Sequence, residues 1–168
     1  MASYELPIIN GFTKPDNGGN TYFEPMSVGF ATDALSDPML VVFAVAASRE
    51  GIAGMFTVPQ NYTTAPSFKL KAATTATGNI LVWDAEYKAV GATENFNTTA
   101  LTTTPTVQMT LVGTVARDLL TASMSLTAGD FLAGDIVHYR LLRDGANTSD
   151  TYAGAAYLAS LYFGYADS

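Results

Sequence analysis

No cysteine occurs anywhere in this 168-residue chain, and histidine occurs once. The first absence removes a disulfide framework, a thiolate metal site and a thiol nucleophile, so stability rests on packing and self-association, and the redox compartment stays open. The second removes any metal site built from several histidines. It also leaves His138 as the only base for a Ser-His-Asp arrangement. No Gly-x-Ser-x-Gly setting accompanies it. Its place in an extended run beside Tyr139 reads better as a structural or interface histidine.

Charge is also scarce. Charged residues make up 14% of the chain, against about 25% in typical soluble domains. Eight Lys and Arg against fifteen Asp and Glu give a formal charge of −7. The clustered cations that phosphate contacts require are missing, which argues against nucleic acid as a partner. A low-charge surface rich in Thr and Ala fits burial against other subunits, and equally a β-protein with a Thr-rich exterior. Long apolar runs are missing too. The most apolar stretch, Met39 to Ala47, falls short of the roughly 20 residues that span a bilayer, so it reads as a buried strand and no membrane partner is expected. Residues 1–15 lack a basic segment followed by an apolar one, so no signal peptide is expected. The Asn-x-Ser/Thr sequons at Asn61, Asn97 and Asn147 fit chance in a Thr-rich chain.

The same thinness holds for catalytic groups. Asp84 and Glu86, at i and i+2 on one strand face, are the carboxylate pair a glycan hydrolase would need. Solvated acids on the outside of a half-buried strand are the simpler reading. Asp130, Asp135, Asp144 and Asp150 sit in turn settings, where Asp makes local hydrogen bonds, and the EF-hand ligand order is absent. Gly18-Gly19 has no following Lys and so is no phosphate loop. No catalytic residue, cofactor or metal ligand is assigned, and a non-enzyme is expected.

What the chain does have is period-two alternation. Ile136, His138, Arg140 and Leu142 share one side of an extended run, with Val137, Tyr139, Leu141 and Arg143 on the other. A second run places Ala155, Tyr157, Ala159, Leu161, Phe163 and Tyr165 on one face. Further strands are expected at 22–31, 39–47, 54–58, 67–76, 80–90, 106–112 and 119–127. Residues 115–126 fit helical spacing as well as strand spacing, and the surrounding Thr and Ser favour the strand. Thr77-Gly78-Asn79 carries a hairpin signal. Trp83, with Leu81 and Tyr87 on its face, reads as a core anchor, with a sugar-stacking platform as the minority reading. Together these predict an all-β fold: an antiparallel jelly-roll β-sandwich of about eight strands over residues 21–168.

Residues 1–20 precede it as an extended arm. Tyr4, Leu6, Ile8, Ile9 and Phe12 give the arm an apolar side to bury, either against a capsid or neighbouring subunit or against its own domain. In the run HYRLLRDG, His138, Arg140 and Arg143 are candidate subunit-interface residues, and a salt bridge within the subunit is the competing reading.

The pattern Val58-Pro59-x-x-Tyr62, Phe68-Lys69-Leu70, Gly78-Asn79 to Trp83, Tyr87, then AGDIVHYRLLRDG and a closing aromatic strand resembles the capsid decoration (cement) proteins of tailed bacteriophages, over roughly residues 55–165. The resemblance implies a structural virion protein that binds and stabilises the outer surface of an icosahedral head. Its partners would be the major capsid protein and other copies of itself, as a homotrimer with the arm crossing between capsomers. The alternative is a tail-associated or receptor-binding module that holds a host glycan, with Trp83 or the Tyr-rich C-terminal strand as the stacking surface.

Overall fold

Alternating apolar residues have one low-energy solution, two sheets that bury their apolar faces against each other. The computed structural model describes residues 2–9, 14–16, 21–25, 39–43, 49–95, 101, 105–110 and 118–167. Among them are the strands β1 (Ser3–Pro7), β2 (Lys14–Asp16), β3 (Thr21–Pro25), β4 (Met39–Phe43), β5 (Arg49–Thr57), β6 (Thr64–Thr74), β7 (Ile80–Val90), β8 (Thr106–Thr110), β9 (Leu120–Ser125), β10 (Ile136–Asp144) and β11 (Ala156–Ala166).

One sheet runs β3-β4-β11-β6-β9, with β1 beside β4 on the same strand, β11, and the other runs β2-β5-β10-β7-β8. All described pairings are antiparallel. From β4 onward each connection crosses between sheets, except that from β7 to its neighbour β8. Strands β4-β11-β6-β9 thus face β5-β10-β7-β8, which is jelly-roll topology. The ambiguous segment is strand over Leu120–Ser125, with Ala122 and Met124 turned inward by its pairing to β6.

The core lies between the sheets and is strongly aromatic. Leu81, Trp83, Ala85 and Tyr87 of β7 meet Phe68, Leu70 and Ala72 of β6, with Phe56, Tyr139 and Phe163 alongside. Trp83 is fully buried, with the ring of Phe43 edge-on at 4.9 Å. Such a pair contributes about 0.5–1.5 kcal/mol beyond its buried area. Its burial rules Trp83 out as a sugar-stacking platform.

Two sequence expectations need correction. Thr77 to Asn79 form a tight turn with Gly78 at φ 77°, but the strands it joins lie in opposite sheets, so the turn is an inter-sheet link and no hairpin forms. On β11 the predicted single face is broken: Ala156 and Leu158 point into the core, then Leu161 and Phe163 do. The register against β6 slips between Leu158 and Ser160, and one extra residue moves every later side chain to the opposite face.

Residues 3–7 are laid along their own body. Strand β1 pairs with β11 from Ser3↔Ala166 to Pro7↔Tyr162. Ile8 is fully buried, and its carbonyl accepts a 2.8 Å hydrogen bond from the Tyr139 hydroxyl. Leu6 and Ile9 pack on the same core. Tyr4 stacks on Tyr165 at 5.2 Å and donates to Asp167, which also accepts from the Ala2 amide at 2.7 Å. Lys69 pairs with Glu5 at 2.8 Å. Ile8 is therefore committed within the chain, which corrects its assignment to a capsid or neighbour contact. Phe12 lies outside the described residues, as do 26–31, 44–47 and 111–112 of the expected strands.

Candidate functional site

Three loops meet at one end of the sandwich: residues 58–63 after β5, 91–95 after β7, and 126–135 between β9 and β10. The last holds a short 3-10 turn, Ala128–Asp130. Its backbone is tied to the first loop by Val58 N to Asp135 O at 2.8 Å and Gly134 N to Val58 O at 3.0 Å. Gly134 adopts φ 88° there, in the left-handed region that suits glycine. Phe131 is buried, stacked on Tyr87 at 5.1 Å, and anchors the loop to the core.

Side chains complete the frame. The Tyr87 hydroxyl donates to Asp130 at 2.9 Å and accepts from the Thr127 amide. The Tyr62 hydroxyl donates to the Ala128 carbonyl. Burial first, and the Asp130 carboxylate second, push the Tyr62 phenol above its ordinary range; burial, with a contribution from Asp130, does the same to Tyr87. Both remain neutral donors at physiological pH. Asp135 accepts from the Leu132 amide at 2.8 Å, and Glu94 accepts from the Gly91 amide at 3.1 Å.

Between these loops lies an open cleft of about 280 Å³, lined by Tyr87, Lys88, Ala89, Gly91, Glu94, Gly129, Asp130, Leu132 and Asp135. Leu132 stands 70% exposed at this end. Among the described residues no group of three His, Cys, Asp or Glu side chains is placed to hold a metal ion. What the arrangement offers is an array of carboxylate acceptors, one ammonium and an apolar rim around a small concavity, suited to a polyhydroxylated ligand.

Other candidates from the sequence sit elsewhere. Asp84 and Glu86 lie on the outer face of β7. Arg49 reaches Asp84 at 2.9 Å and Glu86 at 3.0 Å, Arg140 reaches Glu86 at 2.9 Å, and the Thr106 hydroxyl donates to Asp84. These are acids held in an ion-pair network, with Arg140 employed inside its own subunit. Arg143 is fully buried and pairs with Asp150 at 3.0 Å, which settles it as an intrachain contact and corrects its assignment as a subunit-interface residue. His138 is half-buried on β10, in register between Met55 and Lys88. Of the C-terminal tyrosines, Tyr165 is half-buried against Tyr4 and Phe163. Asp130 and Asp135 were read in the sequence only as turn residues, and Glu94 was not singled out. The tandem Ala-Gly-Asp triplets, Ala128 to Asp130 and Ala133 to Asp135, were the signal that marks this loop.

No protein-family model matches the chain, and no curated protein matches it in sequence. Solved structures match it in fold. The K3 cleaved adhesin domain of Lys-gingipain from Porphyromonas gingivalis w83 superposes with a TM-score of 0.52 at 11% identity, over 96% of this chain and 98% of that one. The arabinose-bound MgGH51 α-L-arabinofuranosidase gives 0.51 at 11% identity over 95% of this chain; the match takes in 24% of the enzyme, so the chain spans about a quarter of its length. A family 6 carbohydrate-binding module from Clostridium cellulolyticum in complex with xylose gives 0.47 at 11% identity, over 95% of each chain. At such identities the likeness is one of fold: two antiparallel sheets in a β-sandwich.

Proposed function

We propose that this chain is a non-catalytic recognition module that holds a glycan in its loop-end cleft. The observation that carries the reading is the cleft itself, about 280 Å³ with Glu94, Asp130 and Asp135 as acceptors, Lys88 as donor and Gly129 on its wall. Sugar hydroxyls are recognised by such planar acceptors, and the apolar faces of sugar rings pack on exposed apolar side chains such as Leu132. The acids that would have made a hydrolytic pair, Asp84 and Glu86, are tied to arginines on the face of the five-stranded sheet. An adhesin domain, and about a quarter of an arabinose-bound α-L-arabinofuranosidase, share the fold, which is in keeping with this reading.

The test uses Gly129. A Cβ built there meets nothing within 4 Å, so Gly129→Trp is expected to fill the cleft and leave the frame intact. On a glycan array the parent chain is expected to retain at least one saccharide family, and Gly129→Trp to lose it with an unchanged melting temperature. Equal retention by both proteins overturns the assignment of the cleft.

A second reading is a capsid decoration protein on the virion surface, a homotrimer seated on the major capsid protein. It draws on a group of exposed apolar side chains, Met55 and Ile136 on adjacent strands β5 and β10 and Leu132 in the preceding loop, which suits a protein partner. Immunogold labelling of particles tests it: dense label over heads supports it, and label confined to tails returns the function to host recognition.

A further inference from the structure

We propose that the loop-end cleft is one half of a longer site, and that the glycan runs from it over the Ala128–Asp130 turn into a groove on the outer face of the six-stranded sheet. The inference rests on the glycan reading above and names its ligand as an uncharged oligosaccharide chain.

The groove has a volume of about 420 Å³, with Ser67 and Lys69 of β6, Ser123 and Ser125 of β9, Tyr165 of β11 and Ala128 of the turn among its lining residues. Cross-strand register builds its floor. Ser67 lies opposite Ser125 and Lys69 opposite Ser123, all on the face turned away from Phe68, Ala122 and Met124 in the core. Ala128 lines the groove while Gly129 and Asp130 line the cleft, and adjacent Cα atoms are about 3.8 Å apart. The turn is therefore their common wall. Two hydroxyls pin it, that of Tyr62 on the Ala128 carbonyl and that of Tyr87 on Asp130. Its crest is bare, because Gly129 has no side chain and a Cβ there would meet nothing within 4 Å.

The lining chemistry names the ligand. None of the described residues around the groove is acidic, and its one cation, Lys69, is matched by Glu5 at 2.8 Å. Lys69 reaches Glu5 by passing across Gly164, where a Cβ would come 2.9 Å from its Cε, so its charge is spent on β1 and the groove holds none to attract an anion. Hydroxyls both donate and accept. Those of Ser123 and Ser125, on exposed strand positions, make no hydrogen bond to a described residue, which leaves them for the hydroxyls of a sugar. Two backbone irregularities border the same groove: Ala65 holds φ 55°, and the register of β11 against β6 slips between Gly164 and Ala166. Departures of both kinds gather where a ligand is held.

The experiment titrates the full chain with neutral oligosaccharides of two and six units from three series, glucan, xylan and mannan, and with an oligogalacturonate of six units, by calorimetry and by amide shift mapping. In a series that binds, six units are expected to bind at least about tenfold more tightly than two, the worth of one or two net hydrogen bonds. Six units should also move the amides of Ser67, Ser123 and Ser125 in addition to those of the cleft. Ser125→Trp is expected to erase the gain from two units to six, and Gly129→Trp to remove both sets of shifts. Equal affinity for two and six units, with shifts confined to the cleft, overturns the groove and leaves the glycan reading standing. Groove shifts that survive Gly129→Trp overturn the continuous path. Oligogalacturonate as the tightest ligand overturns the uncharged assignment and leaves the cleft standing. Binding of none of the ligands, together with a blank glycan array, overturns both this inference and the glycan reading.

Discussion

Arg143 offers the sharpest test of how the end of the sandwich opposite the cleft is held. Its guanidinium is fully buried with Asp150. Nε and Nη2 donate to the two Asp150 oxygens at 3.1 and 3.0 Å, Nη1 donates to the Gly154 carbonyl at 2.6 Å, and Nη2 also donates to the Tyr152 carbonyl. The group lies over the Tyr152 ring at 5.5 Å. Asp150 in turn accepts from the amides of Val82 and Tyr152. One planar cation thus closes the whole β10–β11 connection. Arg143→Met strands a buried carboxylate and two carbonyls, and breaking such a pair costs about 3–5 kcal/mol. In a chain of this size each kcal/mol lowers the melting temperature by about 2–4 °C, giving a drop of about 6–20 °C. Arg143→Lys falls only part of the way back to the parent, because an ammonium cannot make the bidentate contact and reach both carbonyls. The double variant Arg143→Met with Asp150→Leu recovers part of the loss, since no charge is then left alone. Calorimetric melts of the variants read these shifts. An Arg143→Met protein melting within about 2 °C of the parent would refute the reasoning.

Acid should release the N-terminal strand before the body. Hydrogen bonds from Ala2 and Tyr4 hold the Asp167 carboxyl below its usual range, and the Lys69 bond and charge do so for Glu5; because both folded values are depressed, their contribution is present above the unfolded pKa and is lost as pH falls through the folded one. Hydrogen exchange between about pH 5 and pH 2 should show β1 amides losing protection first, and retention until global unfolding would count against the clasp. Two glycines should behave oppositely. A Cβ at Gly51 would lie 2.5 Å from the Leu141 carbonyl oxygen and 2.6 Å from Leu142 Cδ2, so Gly51→Ala should cost about 1–3 kcal/mol. Gly129→Ala, into open space, should stay within about 0.5 kcal/mol; urea unfolding giving equal stabilities would contradict the close approach at Gly51.

Much of the architecture is legible because a half-buried strand imposes period two on its residues. Ile80–Val90 is strand over the predicted span, since Trp83, Ala85, Tyr87 and Ala89 alternate with the polar Asp84, Glu86 and Lys88. Strand β5 begins earlier than expected, at Arg49, because Gly51, Ala53 and Gly54 blur the contrast between faces. The β11 bulge is invisible to a two-residue period, since Ala159 looks like either face. A turn signal such as Thr77 to Asn79 reports that the chain reverses and says nothing about which sheet it enters. The role of Arg143 was half legible: its turn-adjacent position pointed to an intrachain pair, but its burial follows from Asp150, Tyr152 and Gly154 folding over it. The cleft was the least legible feature. Its walls come from residues 87–94 and 129–135, brought together by loops that obey no period, and only the paired Ala-Gly-Asp triplets hint at them.

The most direct test of the central claim is amide chemical-shift mapping of the ¹⁵N-labelled chain, titrated with the saccharide that gives the strongest array signal. The account predicts shifts concentrated at Gly91, Glu94, Gly129, Asp130 and Leu132, absent in Gly129→Trp. Shifts confined to the Met55 and Ile136 face, or spread without reference to the loop end, would contradict it.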